Sequence, residues 1–301
     1  MKAKKILAPL ILVAVIAGLV IALSIAIPKR GSAKIIATNF AAYDFARAVT
    51  NESDDINLLI KPAAETHTFE PTPQDIIDIV NADFFIYNGG ESEEWVSDLL
   101  RDNGVDEGKT IRMMDFVELK QEEDEDEYDE HIWTSPLNAI RITEAIRDRF
   151  AAKYPAKAER YISNTNNYVA KLKDIDQKIR EIVKNAKRKV LVFADRFPFR
   201  YFVDEYGLDY LAAFPGCSEQ TEASSSTIAE LTDKVKSEKV PVVLKIELTS
   251  DALAKTIASE TGAAIRTFSA AHNISQADFE SGKTYADIMT DNLKVLEEAL
   301  N

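Results

Sequence analysis

Three histidines are all that a chain of 301 residues carries, so the place of each is informative. Imidazole is the commonest side-chain ligand for zinc and other borderline cations, and it also serves as a general base. His67 lies in the Pro-punctuated stretch Glu65-Thr66-His67-Thr68-Phe69-Glu70-Pro71-Thr72-Pro73, after an apolar run ending at Ile60. His272 lies in Ala270-Ala271-His272-Asn273, after an apolar run ending at Phe268. His131 closes the tract 122–130, where eight of nine residues are acidic, just before the helix-start signal Ser135-Pro136. Asp195 directly follows the apolar run 190–193. In open α/β sheets, ligands collect beyond the carboxyl ends of the strands. His67, His272 and Asp195 occupy such places and are candidates for joint metal binding. The plain alternatives stay open here: each histidine as a surface or hydrogen-bonded residue, and Asp195 as a helix cap. The acidic tract reads as a solvated loop that concentrates cations beside His131, without the fixed geometry that selectivity needs. Cys217, the sole cysteine, excludes internal disulfides and multi-cysteine metal sites; it reads as a small buried or turn residue, with a thiolate ligand conceivable.

The elements that must position these residues follow from the hydrophobic pattern. Strands are expected over 34–38, 56–60 and 84–87, with helices over 41–49, 73–80, 93–100 and 138–150. The alternation restarts with strands over 190–193, 242–246 and 264–268 and helices over 227–235, 251–259 and 285–300. Strand–helix alternation of this kind indicates two α/β lobes, each a mostly parallel sheet flanked by helices. Between them, residues 156–187 hold no breaker and place Tyr161, Tyr168, Leu172, Ile175, Ile179 and Ile182 on one stripe. A single helix of that length, about 48 Å, would join the lobes as a stiff backbone. The expected organisation is a signal or anchor segment at 1–33, an N-terminal lobe at 34–153, the long helix at 154–188 and a C-terminal lobe at 189–301.

Residues 6–27 are uncharged and flanked by Lys2, Lys4 and Lys5 on one side and Lys29 and Arg30 on the other. A helix of that length spans about 33 Å, enough for a bilayer core. The basic flank places Lys2, Lys4 and Lys5 in the cytoplasm and the rest of the chain outside the membrane, anchored or released by cleavage. The formal charge of −14 argues against nucleic acid as a partner and suits a cationic ligand.

With these residues assembled, the chain resembles the zinc/manganese solute-binding proteins of ABC importers over nearly all of 34–301. Lys61-Pro62-Ala63-Ala64-Glu65-Thr66-His67 resembles the segment around that family's first histidine ligand, and Asp129-Glu130-His131-Ile132-Trp133 its second ligand motif. The third ligand segment matches 193–202, one residue longer here, with Asp195 the best match; the fourth falls on His272. Glu222 and Glu247 also lie in family-like stretches and are expected to support the structure or the ligands from behind. The resemblance implies two α/β lobes joined by one long helix, a metal held between them by His67, His131, Asp195 and His272, and delivery to an ABC permease. An N3O set of three imidazoles and one carboxylate suits tetrahedral zinc, with manganese as the alternative. It implies a monomeric binding protein, not an enzyme; the chain lacks a His-Glu-x-x-His helix. The other classes to separate are a surface metal-dependent hydrolase and an adhesin in which metal only stabilises the fold.

Overall fold

The computed structural model describes residues 35–51, 54–66, 68–121, 127–216 and 223–301. The expected membrane segment, His67, Cys217, Glu222 and most of the acidic tract lie outside them. Among the described residues, no helix is long and apolar enough to cross a membrane.

The first lobe runs β1 (Ile35–Ala37), α1 (Phe40–Thr50), β2 (Ile56–Leu58), α2 (Pro73–Asn81), β3 (Phe84–Tyr87), α3 (Trp95–Asp102), β4 (Thr110–Arg112) and α4 (Pro136–Lys153). Its four strands are parallel in the order β2-β1-β3-β4. The second lobe runs β5 (Val190–Arg196), α6 (Arg200–Tyr206), β6 (Asp209–Phe214), α7 (Ser225–Ser237), β7 (Val242–Lys245), α8 (Ala252–Thr261), β8 (Ala264–Thr267), α9 (Gln276–Glu280) and α10 (Tyr285–Leu300). It repeats the plan as β6-β5-β7-β8, again parallel. Three strands per lobe were expected; the fourth of each, β4 and β6, is an edge strand.

Local chemistry starts the helices. Asn39 caps α1 by accepting from Ala42 N–H at 2.9 Å. Thr72 and Asp75 form a reciprocal capping box on α2, with Pro73 at its first turn. Ser135-Pro136 starts α4, as expected, and Thr284 with Asp287 boxes the start of α10.

The helix between the lobes, α5, is Ala158–Asn185, preceded by a 3₁₀ turn at Pro155–Lys157, so it is slightly shorter than the expected 156–187. Its buried stripe is Tyr161, Thr165, Tyr168, Val169, Leu172, Ile175, Ile179 and Val183; Ile182 is only partly buried. The helix touches both lobes. Tyr161 donates to Asp54 at 2.8 Å and Asn164 to the Val49 carbonyl at 3.0 Å. Further along, Asp176 accepts from Tyr206 at 2.9 Å and Arg180 pairs with Glu205 at 2.6 Å.

At the middle of the helix one buried carboxylate ties three elements. Asp44 on α1 accepts from Tyr168 at 3.1 Å and from the Tyr285 N–H that opens α10 at 2.9 Å. It also pairs with Arg47, which donates onward to the Lys283 carbonyl. Burial raises the Asp44 carboxyl, and the Arg47 guanidinium with these hydrogen bonds opposes that shift. Removing one partner of a buried pair strands the other charge. Asp44→Ala should therefore lower the unfolding free energy in urea by about 3 kcal/mol. A change below about 1 kcal/mol, the value typical of an exposed pair, would show that this junction contributes little.

Candidate metal centre

His131 sits where the first lobe turns into α4. It begins the 3₁₀ turn Ile132–Thr134, is 1% exposed, and its carbonyl accepts from the Thr134 hydroxyl at 2.8 Å. Asp129 Oδ1 accepts from the His131 backbone N–H at 2.7 Å and lies 3.1 Å from His131 Nδ1. A carboxylate at Nδ1 holds the proton there and leaves the lone pair on Nε2, the arrangement that orients a metal-ligating imidazole. Asp129 is itself held, since its carbonyl accepts from Tyr201 of the second lobe at 2.8 Å.

His272 comes from the loop after β8. Glu247 shapes that loop from behind: Oε1 accepts from the N–H groups of His272 (2.9 Å) and Asn273 (3.4 Å), and Oε2 from that of Ala270 (2.8 Å). Ala271 between them adopts a left-handed φ of 53°, which lets successive N–H groups converge on one carboxylate. Burial pushes the Glu247 carboxyl up, and these backbone donors pull it back.

The two imidazoles meet. Their ring centroids are 5.2 Å apart at an interplanar angle of 89°. The Trp133 ring borders both, at 5.6 Å from His131 and 5.4 Å from His272. Thr66 Oγ1 lies 2.9 Å from His272 Nε2, so the loop that carries position 67 reaches the same cluster. That loop is stitched to the second lobe: Ala63 N–H donates to the Ile274 carbonyl at 2.9 Å, and Asn273 donates to the Ala64 carbonyl. Gly216 lies so near His131 that a Cβ there would come within 3.5 Å of Cε1.

Of the four residues singled out in the sequence, His131 and His272 are brought together and His67 is outside the described residues. Asp195 stands at the end of β5, 7% exposed, with both carboxylate oxygens engaged. Oδ2 accepts from Ile246 N–H at 3.1 Å and Thr249 Oγ1 at 2.5 Å, and Oδ1 from Arg196 N–H at 2.9 Å. It ties the end of β5 to the turn after β7, the turn that carries Glu247. The sequence reading missed Asp129, Thr66 and Trp133. Asp129 alone left a signal, an acidic residue two places before a histidine.

Behind His131 lies a second pair of carboxyls. Glu130 Oε2 accepts from Ser92 N–H (3.3 Å) and Oγ (2.7 Å), and Glu93 Oε2 accepts from Gly89 N–H (2.7 Å). The turn needs glycine at position 90, where φ is 95° and a Cβ would lie 2.6 Å from Glu130 Oε2. Burial, helped by the charge of Glu130, pushes the Glu93 carboxyl up to about 7.

Two parallel four-stranded sheets, one helix packed against both lobes, and imidazoles from both lobes meeting beside an indole define a two-lobed α/β protein with a candidate site between the lobes. The chain belongs to the ZnuA family, the periplasmic component A of the zinc-uptake complex, whose family model matches residues 35–299. It is 32% identical over 281 residues to the zinc-binding lipoprotein AdcA of Streptococcus pneumoniae strain R6, covering 89% of this chain and 56% of AdcA. The chain thus spans little more than half of that relative. It is 30% identical over 279 residues to the high-affinity zinc uptake system protein ZnuA of Bacillus subtilis, covering 88% of this chain and 87% of that one. Among solved structures, it is similar to the Zn(II)-bound ZnuA-like domain of S. pneumoniae AdcA, with a TM-score of 0.77 at 32% identity over 90% of this chain and 99% of that one. The metal-dependent lipoprotein YcdH of B. subtilis gives a TM-score of 0.78 at 30% identity, over 89% and 99%.

The pH dependence of stability checks the electrostatics behind His131. The Glu93 carboxyl moves from 4.5 when unfolded to about 7 in the fold, so the folded chain holds the extra proton between those values. Its contribution is fully present below about pH 4.5 and is lost as the pH rises through 7. Glu93→Gln keeps an acceptor for Gly89 and carries no charge. Thermal melts should show the variant gaining on the wild type from pH 5 to pH 8, by at most about 3 kcal/mol. A difference that does not change with pH would contradict this assignment.

Proposed function

We propose that this chain captures Zn²⁺ between its lobes on the extracytoplasmic face of the membrane and delivers it to the permease of an ABC importer. The observation that carries the reading is the meeting of His131 and His272, one from each lobe, with Thr66 bringing the neighbour of His67 onto His272. His67, His131 and His272 are the proposed ligands. Imidazole-rich sets favour zinc, and manganese prefers more oxygen, so zinc is the proposed cargo. The names of the relatives support the same metal. Asp195, the fourth residue of the expected set, is proposed to act from behind the metal by holding the Ile246–Thr249 turn, since its oxygens already serve that turn.

Capture then has a simple order. His131, oriented by Asp129, presents Nε2. Metal binding through His272 Nε2 replaces its hydrogen bond to Thr66. The lobes, proposed as 34–153 and 189–301 with 154–188 joining them, are already linked by Trp133 Nε1 to the Ala270 carbonyl at 2.8 Å. Zinc adds further bonds across the same seam, so loading should tighten the arrangement without a wide closure, and release needs the permease to part the two histidine loops. The role is that of a binding protein, tethered or released by cleavage of the segment at 1–33, and it needs no second copy of the chain.

Competition titration against a calibrated zinc chelator tests this. The metal-free chain should take up one tight zinc equivalent. His131→Ala and His272→Ala should each weaken binding by about 100-fold, and Asp129→Asn by about 10- to 100-fold. Wild-type affinity in both histidine variants would overturn the assignment.

A further inference from the structure

A cavity of about 180 Å³ opens beside His272, and its wall includes Glu65, Thr66, Arg196, Thr249 and Asn273. Arg196 is the only cation on that wall. Its backbone N–H donates to Asp195, but among the described residues its guanidinium enters no ion pair or hydrogen bond. The half-buried cation thus stands against a site proposed to hold a dication. Three neutral imidazoles leave the charge of Zn²⁺ uncompensated, and Arg196 adds another positive charge. Neither buried carboxylate nearby is free to balance them. Glu247 accepts from three backbone N–H groups, and Asp195 accepts from two and from Thr249. Glu65, at the rim, accepts from Thr66 N–H.

We infer that the site takes its zinc together with a small carboxylate anion, which places one oxygen on the metal and the other on the Arg196 guanidinium. This rests on the zinc reading above. Tetrahedral zinc with three imidazole ligands has one position left. The planar fork of arginine matches a carboxylate, and a carboxylate bridging metal and guanidinium satisfies both charges in one small cavity. No bond is made or broken apart from coordination. The chain would accept zinc as a carboxylate complex and would need no stripping of that anion before capture.

The test uses the full chain in non-ionic detergent, stripped of metal, with acetate as the probe and perchlorate holding the ionic strength constant. Apparent zinc affinity should rise about tenfold between no acetate and saturating acetate, a coupling of ordinary size. Acetate also binds free zinc, so simple competition has the opposite sign. Arg196→Gln should abolish the rise, and Arg196→Lys, which keeps the charge but not the fork, should retain only part of it. In the Co²⁺-loaded chain, acetate should shift the visible spectrum of the wild type and not of Arg196→Gln. Zinc binding that is tight but indifferent to acetate would overturn this inference and leave zinc capture standing, with water or a protein atom in the fourth position. An acetate response that survives in Arg196→Gln, or that chloride reproduces in full, would also overturn it. Absence of tight zinc binding under every condition would instead remove the parent reading.

Discussion

The indole of Trp133 holds together two loops that the chain itself separates by 137 residues. Its Nε1 donates to the Ala270 carbonyl at 2.8 Å, and its own carbonyl accepts from Tyr285 at 2.7 Å. The ring is 1% exposed and lies against both imidazoles. A buried tryptophan contributes a large apolar area and needs a partner for its N–H, so one side chain supplies both adhesion and register. Because Trp133 follows His131 by two residues and Ala270 precedes His272 by two, fixing that hydrogen bond fixes the separation of the histidines. Tyr285 extends the chain of contacts to α10, whose first N–H is held by Asp44 beside the long helix. The site geometry is therefore coupled to the junction where the helix meets both lobes.

Carboxylates supply the rest of the rigidity. Asp129, Asp195, Glu130 and Glu247 all lie close to the cluster, and each accepts hydrogen bonds from backbone N–H groups or hydroxyls. Hydrogen bonds to a charged acceptor are stronger than neutral ones, and a buried carboxylate without them would be costly. The acidic balance of the chain is thus partly structural. These groups hold loops, which leaves the imidazoles as the proposed metal ligands. Only Arg196 brings a positive charge to this seam without a partner among the described residues.

Much of this was legible in the sequence. Six strands, the helices opened by Thr72-Pro73 and Ser135-Pro136, and the long apolar stripe follow from periodicity and capping chemistry. The two missed strands are edge strands. β4 has three residues with only Ile111 buried, and β6 is partly buried along most of its length, so neither shows a clear apolar run. The long helix stops before its pattern does because Lys187 and Arg188 donate to the Leu300 carbonyl at the end of α10, a contact remote in sequence. His272 was singled out by its place after a strand. His131 follows no strand, and its position before a helix start and the family resemblance marked it. Asp195 lies within the end of β5, which runs on to Arg196 and not only to the expected 193, and its partners Ile246 and Thr249 are 51 and 54 residues away, where no local pattern reveals them. The same holds for Thr66 and Trp133, whose roles exist only once the lobes are together.

In the proposed loaded state a single zinc ion is held by imidazoles from both lobes. X-ray absorption at the zinc edge of the chain loaded with one equivalent tests it most directly. Imidazole scattering is expected with Zn–N distances of about 2.0–2.1 Å, losing one imidazole in His131→Ala and one in His272→Ala. An all-oxygen shell, or an imidazole count that neither substitution changes, would contradict it.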